Sequence, residues 1–423
     1  MKIWIFNHYS TTPNHVGGTR HYDLAYELIK QGHEVTIFAS SFNHFQKKET
    51  INYEQNSFSK KVNVNGVNYV WMKTVKYNGT LKRILNILDY AKKAYKIAKK
   101  EIHNNRPDIV IGSSIHPLAA FIGYRISKKA QATFYFEERD LWPQTFVDFG
   151  KISENNLISK FLYSLEKFLY DRSDKIIVLF DKASDYVASR NIEKNKIIYL
   201  PNGVNIENYY NYKPDKDILK LMNSFKYKVV YTGSHGIANH LEPLIEAANL
   251  LQNKEGNVDI HFILVGNGLE KPKLIEIAKK YSLKNVTFID SVPKEKIPFL
   301  LSLADLSFIS IKKSPLYKWG FSMNKLYDYM ASGLPIIMYS SKDVVGNLKG
   351  VYGVNLSESY NDLAKDILTI SYDEMYKNSA GDSLREFVRK SYSWDKLALK
   401  LESHMLEDIN LDHKLKTRES KRN

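Results

Sequence analysis

The residues able to do chemistry are gathered at a few short turns. Glu137-Glu138-Arg139-Asp140-Leu141-Trp142-Pro143 follows directly on the apolar run Ala132–Phe136. Carboxylates massed at the carboxyl end of a strand can grip sugar hydroxyls or take a proton, although charged loops are also common on surfaces. His116 lies in Ser113-Ser114-Ile115-His116-Pro117, past a strand and before a helix, where a lone histidine is either a site residue or a cap. Near the other end, Asn324 and Lys325 open a helix that runs through Asp328 to Gly333. A cation at a helix start adds to the unpaired N–H groups there, so an anion such as a diphosphate is the fitting guest. Glycine turns offer the same chemistry. Gly17-Gly18, Gly233-Ser234-His235-Gly236 and Gly266-Asn267-Gly268 each follow a strand and precede a helix, where backbone donors can face a phosphate. The first has neither the GxGxxG spacing of a dinucleotide site nor the lysine–serine pair of a phosphate loop.

Such turns need elements that bring them to one edge. Short apolar runs at Lys2–Phe6, Val35–Ala39, Asp108–Gly112, Ala132–Phe136, Lys175–Leu179 and Ile197–Leu200 alternate with helical stretches at 81–103, 117–129 and 157–171. Leu24, Ala25 and Leu28 mark a further helix, ended by Gly32. Strands that read as unbroken apolar runs between helices imply a parallel sheet covered on both faces. Residues 53–75, with Val67–Trp71 set among Gln, Asn and Gly, read as a surface hairpin outside that pattern. After Pro201-Asn202-Gly203 a second series begins, with strands at Lys228–Thr232, Asp259–Val265, Val286–Ile289, Leu306–Ile309, Pro335–Met338 and Gly350–Val354. Helices are expected near 240–252, 270–281, 323–332, 359–371 and 374–390. The chain thus reads as two doubly wound α/β domains, 1–200 and 201–392, facing each other across an interdomain cleft. Residues 393–409 are expected to form a helix packing back across the domains, and 410–423 a polar tail that frays.

The chain has 423 residues, 61 Lys and Arg against 46 Asp and Glu, a formal net charge of +15, and no cysteine. Thiol nucleophiles, disulfide scaffolds, Cys-held zinc and iron–sulfur centres are excluded. No apolar run reaches 18 residues, and His8 interrupts the opening strand before a signal-peptide core can form, so a cytoplasmic location is expected. The charge admits nucleic acid, anionic lipid or a phosphorylated small molecule. Nucleic-acid binding is the alternative of another class, but the cations are not interleaved with aromatics as a stacking platform requires. A nucleotide-sugar epimerase would need a GxxGxxG entry that is missing.

Taken together, His116-Pro117, the Glu137–Pro143 loop, Leu200-Pro201-Asn202-Gly203-Val204-Asn205, Tyr231-Thr232-Gly233, Val265-Gly266-Asn267-Gly268 and the helix Lys325–Pro335 resemble family 4 of the retaining glycosyltransferases, over nearly the whole chain. The acidic Asp-Leu-Trp-Pro loop further resembles the bacterial polysaccharide and O-antigen subgroup that includes N-acetylfucosamine transferases. The resemblance implies the GT-B architecture of two facing Rossmann-like domains, the second holding a nucleotide-sugar donor, most often a UDP-sugar, and the first the acceptor. No metal and no cofactor beyond that co-substrate is implied. Donor-binding residues would be Gly17, Gly18, Gly233, Ser234, Gly266, Gly268, Asn324, Lys325 and Asp328, with Lys325 on the diphosphate and Asp328 on the ribose hydroxyls. His116 would hold a hydroxyl of the donor sugar. Glu137, Glu138, Arg139 and Asp140 would meet the acceptor, Glu138 and Asp140 orienting it. The catalytic set is then His116, Lys325, Glu138 and Asp140.

The sequence also departs from the family pattern. Gly320 stands where the first carboxylate of the family's acidic pair belongs, which favours a deoxy or N-acetylated sugar over a common hexose. Ser234 replaces a usual Arg, and Asn239 or His240 stands near a usual Lys. Lys325 must then carry more of the diphosphate charge, with Arg20 or another first-domain residue assisting. The implied reaction keeps the anomeric configuration through an oxocarbenium-like state, and the leaving diphosphate accepts the proton of the incoming hydroxyl.

Residues 81–100 carry Lys82, Arg83, Lys92, Lys93, Lys96, Lys99 and Lys100 against Asp89 alone. Leu81, Ile84, Leu85, Leu88, Ala91, Tyr95 and Ala98 fall on one helical stripe. This is either a core-facing helix with a solvated basic back or a peripheral contact with an anionic membrane, made by Arg83, Lys92, Lys93, Lys96, Lys99 and Lys100. A membrane contact suits a transferase that extends a polyprenyl-diphosphate-linked saccharide at the inner face of the cell membrane, in capsule or O-antigen synthesis. A soluble transferase with a small acceptor is the alternative.

Overall fold

The computed structural model describes residues 1–15, 17–253, 259–312 and 314–420. The chain divides into two compact units, Met1–Pro201 together with Trp394–Asn423, and Asn202–Ser393.

In the first unit β1 (Lys2–Phe6) leads through α1 (Arg20–Lys30) to β2 (Glu34–Ser40), then to β3 (Ser59–Val64) and β4 (Val67–Met72). There follow α2 (Thr80–Glu101), β5 (Ile109–Ser113), α3 (Pro117–Ala130), β6 (Thr133–Glu138), α4 (Leu157–Arg172), β7 (Lys175–Val178) and β8 (Ile197–Tyr199). The sheet runs β8-β7-β6-β5-β1-β2-β4-β3, parallel throughout except for the antiparallel edge strand β3. Residues 53–75 are therefore not an excursion from the pattern. The Asn65-Gly66 turn, with φ of 51° and 91°, closes a hairpin. Its second arm pairs in parallel with β2 and buries Val67, Tyr69, Val70, Trp71 and Met72. Polar residues at the turn and on β3 disguised that arm as surface.

The second unit is built from β9 (Tyr227–Thr232), α5 (Glu242–Gln252), β10 (Ile260–Val265), α6 (Lys271–Lys280), β11 (Val286–Ile289), β12 (Leu306–Ser310), α7 (Asn324–Ser332), β13 (Ile336–Tyr339) and β14 (Val354–Ser357). Its sheet is wholly parallel, in the order β11-β10-β9-β12-β13-β14. The last strand begins at Val354 rather than near Gly350, because Gly350 and Gly353, at φ 79° and 95°, are turn residues.

In both sheets the strand order reverses beside a central strand, at β1/β5 and at β9/β12. Crevices outside the carboxyl ends of strands at such reversals are where open α/β sheets hold ligands. Most of the turns singled out in the sequence lie at that edge of their own sheet.

The chain re-enters the first unit at Trp394. The final helix is one element, α8 (Trp394–Ser420), continuing past 409 without a break. It adds Trp394, Leu397, Ala398, Leu401 and Met405 to the core that holds Tyr22, Leu24 and Leu28, and Tyr135 donates to Asp408 at 2.6 Å. Its packing partner is thus α1 and the first sheet. Among the described residues no helix is long and apolar enough to cross a membrane.

Candidate active site

The second unit brings its predicted residues together. The turns after β9 and β10 stack backbone on backbone, with the Gly233 N–H on Val265 O at 2.9 Å and the His235 N–H on Asn267 O at 3.0 Å. A β-carbon at Gly266 would lie 1.9 Å from Gly233 O, and one at Gly268 2.3 Å from His235 O. Glycine at 266 and 268 is therefore demanded by this stacking, before any ligand is considered. Lys325, the second residue of α7, reaches over the first turn. Its ammonium donates to Tyr231 OH at 2.8 Å and to Asn239 Oδ1, and sits 4.4 Å over the Tyr231 ring. Tyr231 OH donates onward to Ser234 O at 2.7 Å, and Asn239 Nδ2 donates to the same oxygen at 2.8 Å. Among the described residues no carboxylate pairs with Lys325. Burial lowers its pKa to about 7. A half-buried amine with only neutral partners among the described residues, beside a helix start that no side chain caps, can take an anion.

The neighbourhood of this amine is braced from within the unit. Asn202 donates its N–H to Ser322 Oγ at 2.9 Å and its side-chain amide to Ser322 O at 3.2 Å, fixing the loop that precedes α7. One helical turn past Lys325, Asp328 accepts from Tyr209 OH at 2.7 Å. Asn324 and Ser234 are exposed. Tyr231 and Tyr209 were missed as site residues. Tyr231 was indistinguishable from the other apolar residues of its strand, and Tyr209 from its neighbours in the Tyr-rich connector.

The first unit treats its predicted residues differently. Neighbouring residues on a strand point to opposite faces, and Glu137 and Glu138 are both buried. Glu137 meets Arg20 Nε at 2.8 Å, His21 Nε2 at 2.6 Å and Ser113 Oγ at 2.7 Å. Burial alone would push its carboxyl up, but His21 and Arg20 overcome that and hold it well below the usual carboxylate range. Arg20 also binds Leu200 O at 2.8 Å and Pro201 O. In this arrangement Glu137 is engaged by Arg20, His21 and Ser113, and Arg20 by Glu137 and two backbone carbonyls, where the sequence suggests an acceptor and a diphosphate. Glu138 accepts from Tyr170 OH, in a cluster where Tyr186 donates to Glu166 at 2.7 Å. Burial, and then Glu166, raise the Glu138 carboxyl well above its ordinary pKa, which disfavours its charged form.

His116 is the helix cap that the plainer reading allowed. Its Nδ1 accepts the Ala119 N–H at 3.2 Å, and its Nε2 lies 2.7 Å from His8 Nδ1. With Nδ1 accepting, Nε2 carries the proton and donates to His8. Burial, assisted by Arg83, lowers its pKa to about 3. Both nitrogens are committed, which leaves none for a sugar hydroxyl in this arrangement. Of the acidic loop, Asp140 is exposed and Arg139 half-buried, its backbone N–H bonded to Ser114 Oγ at 3.2 Å. Gly17 packs against Thr11, and Thr11 Oγ1 donates to Gly18 O at 3.1 Å.

On α2 the stripe is split. Asn86, Tyr90, Ala91, Ala94, Ile97 and Ala98 are buried, whereas Leu81, Ile84, Leu85 and Leu88 are 80%, 49%, 55% and 51% exposed. Lys92, Lys96, Lys99 and Lys100 are exposed as well. Lys93 is held by Asp89 at 2.8 Å. Arg83 departs from the expected basic back, since its Nε points inward to Tyr9 OH at 3.4 Å. Leu157, Ile158 and Phe161 on the first turns of α4 are also exposed, by 83%, 64% and 67%.

Comparison with known proteins places this geometry. Residues 17–208 match the Glycosyltransferase Family 4 model and residues 226–373 the Glycosyl transferases group 1 model. Over 297 residues, 68% of this chain and 70% of the relative, the sequence is 22% identical to WcaI of Escherichia coli (strain K12), a protein assigned to colanic acid biosynthesis as a glycosyl transferase. Among solved structures, sucrose-phosphate synthase from Thermosynechococcus elongatus aligns with a TM-score of 0.71 at 16% identity, covering 97% of this chain and 99% of that one. Anabaena HepE in complex with UDP aligns at 0.67 and 15% identity, over 96% of this chain and 100% of its own. WaaG, a glycosyltransferase involved in lipopolysaccharide biosynthesis, aligns at 0.61 and 13% identity, over 96% and 99%.

Proposed function

Since this chain is a nucleotide-sugar-dependent glycosyltransferase with the GT-B fold, related to the family 4 and group 1 transferases, we propose that it moves a sugar from a UDP-sugar, with retained configuration, onto a polyprenyl-diphosphate-linked saccharide in bacterial surface-polysaccharide synthesis. The observation that carries the reading is the Lys325 cradle: a half-buried ammonium with a pKa of about 7, with no acidic partner among the described residues, at an uncapped helix start. Charge that develops on a departing diphosphate is stabilised there by Lys325 and the first N–H groups of α7, an interaction that strengthens as the sugar–phosphate bond loosens. Asp328, steadied by Tyr209, holds the ribose. HepE, solved with UDP and with UDP-glucose, supports uridine as the base.

Retention follows from a leaving-group oxygen taking the acceptor's proton on the face it leaves. Glu137, locked in an ion pair, and Glu138, buried against Tyr170 with its charged form disfavoured, are poor nucleophiles, which agrees with a route that needs none. Asp140 and Arg139, the unlocked members of their loop, orient the acceptor. Gly320, without a carboxylate to meet sugar hydroxyls, favours a deoxy or N-acetylated donor such as N-acetylfucosamine. The exposed leucines and isoleucine of α2, followed by Lys92, Lys96 and Lys99, form the amphipathic face of a peripheral enzyme at the inner side of the membrane.

The test is a product-mass screen of the full chain against UDP-, GDP- and dTDP-sugars, with a lipid-linked and a soluble acceptor in parallel. Transfer from a UDP-sugar to the lipid-linked acceptor is expected. Exclusive transfer to the soluble acceptor, with no vesicle binding, would replace the membrane reading by the soluble one.

A further inference from the structure

The carboxyl edge of β1, β2 and β4 holds a positively charged nook that the catalytic reading does not use. Tyr9, after β1, stacks on His44, after β2, with ring centroids 5.0 Å apart. Arg83, on the inward side of the first turns of α2, bonds Tyr9 OH at 3.4 Å, with its guanidinium carbon 5.8 Å from the ring centroid. Lys47 Nζ is 3.4 Å from His44 Nδ1 and 4.4 Å over the ring of Tyr77, whose hydroxyl also bonds His44. With Nδ1 accepting, His44 carries its proton on Nε2, so the nook presents a guanidinium, an ammonium and an imidazole N–H.

No acid answers them. Among the described residues neither Arg83 nor Lys47 has an ion-pair partner. The nearest carboxylate on α2, Asp89, is taken by Lys93 at 2.8 Å and by the Val75 N–H at 3.0 Å. The charge is felt through the surroundings. Burial, then Lys47 and Arg83, bring His44 to a pKa of about 4, and Lys47 itself is lowered by burial and by Arg83. No side chain caps α2, whose first turn carries no acid. The adjoining small pocket is lined by Tyr9, Ser10, His44 and Trp71, and the Nε1–H of Trp71, a residue 2% exposed, has no acceptor among the described residues. Arg83 is half-buried and Lys47 is exposed beside it; a multiply charged anion that meets both would replace the water around them with charge-assisted contacts.

The outer side of the same helix turns gives the second half of the ligand. Leu81, Ile84, Leu85 and Leu88 face away from the nook and into solvent. A molecule that satisfies both sides carries a compact anion joined to a long apolar chain.

We propose that Arg83, Lys47, His44 and Tyr9 form a subsite for the diphosphate of a prenyl-diphosphate acceptor, with its hydrocarbon running out along the exposed stripe of α2. The subsite rests on the lipid-linked acceptor reading and deepens it, since it fixes the acceptor's anchor group to one edge of the first sheet and leaves the saccharide to reach onward.

The probe is farnesyl diphosphate, titrated calorimetrically into the full chain, with UDP titrated as an internal control for fold and for the Lys325 cradle. The double variant Arg83→Gln with Lys47→Gln should weaken farnesyl diphosphate at least about tenfold, as expected for two charge-assisted contacts, while UDP affinity stays unchanged. Farnesol should bind no more weakly to the variant than to the parent. Vesicles of phosphatidylglycerol distinguish the other source of a lipid phosphate: their binding should survive the double variant and be lost when Leu81, Ile84, Leu85 and Leu88 become serine. Equal farnesyl diphosphate affinity in parent and variant would overturn the subsite while leaving the lipid-linked reading standing. No farnesyl diphosphate binding to the parent, with UDP bound normally, would overturn both. Loss of vesicle binding alone in the double variant would reassign the nook to a membrane headgroup.

Discussion

The two sheets end in turns of similar composition, yet the charged groups at their carboxyl edges have opposite fates. In the second unit Lys325 is bonded to a hydroxyl and an amide and has no counter-ion among the described residues, which leaves its charge open to a ligand. In the first, Glu137 is saturated by Arg20, His21 and Ser113, and burial disfavours the charge on Glu138. A buried charge paired within the protein acts on the fold; a buried charge left without its opposite points to a guest. Richness in charged residues is therefore the weaker sign of a site. What matters is whether the neighbours already answer the charge, and the Arg83 nook meets that criterion where the acidic strand end does not.

The largest test of the contrast is Glu137→Ala. If the carboxylate is structural, removing it strands Arg20 and should cost about 3–5 kcal/mol of stability, read as a fall in denaturant midpoint. A variant of unchanged stability but raised acceptor KM would return Glu137 to the site. Lys325→Ala comes next, with kcat expected to fall about 10²–10³-fold, roughly 2.7–4 kcal/mol of transition-state stabilisation, and little change in midpoint. The same lysine predicts a pH effect of definite sign. In the free protein its pKa is about 7, so above that pH it is mostly neutral and must take up a proton when a diphosphate binds. UDP affinity should then weaken as pH rises from 7 toward 9, by at most about tenfold per unit. Lys325→Arg, charged throughout, should flatten that slope. An identical slope in Lys325→Arg would mean that another group titrates.

The sequence exposed most of the parallel framework because buried parallel strands are continuous apolar runs, and helix starts carry their own signals. Val67–Met72 was misplaced because its partner arm, Ser59–Val64, is an exposed edge whose lysines and asparagines masked the apolar arm beside it. The Lys325 helix was legible for a physical reason: a cation at a helix start stands out whatever surrounds it. The commitments of Glu137 and Glu138, and the contact of His116 with His8, were not legible, since these partners lie far along the chain; only the His116 cap on Ala119 is local. Arg20 is 117 residues from Glu137, and His8 is 108 from His116. The orientation of Arg83 was hidden likewise. A helical wheel shows that it leaves the apolar stripe, but only Tyr9, from another strand end, shows what it turns toward.

The smallest expected effect is the sharpest, because it tests a carboxyl whose charge is disfavoured where it sits. Burial, and then Glu166, favour the protonated form of Glu138, and Glu166 is itself raised to about 7 by burial. An amide has nearly the shape of that protonated carboxyl and keeps an oxygen to accept from Tyr170. Glu138→Gln should therefore change stability by no more than about 1 kcal/mol and leave kcat within about a factor of two. Glu138→Ala, which opens a cavity and orphans the Tyr170 hydroxyl, should destabilise more at equally preserved kcat per folded molecule. A tenfold loss of kcat in well-folded Glu138→Gln would show that an ionised carboxylate is needed there. The distinction between answered and unanswered charge would then fail at the position where it is drawn most narrowly.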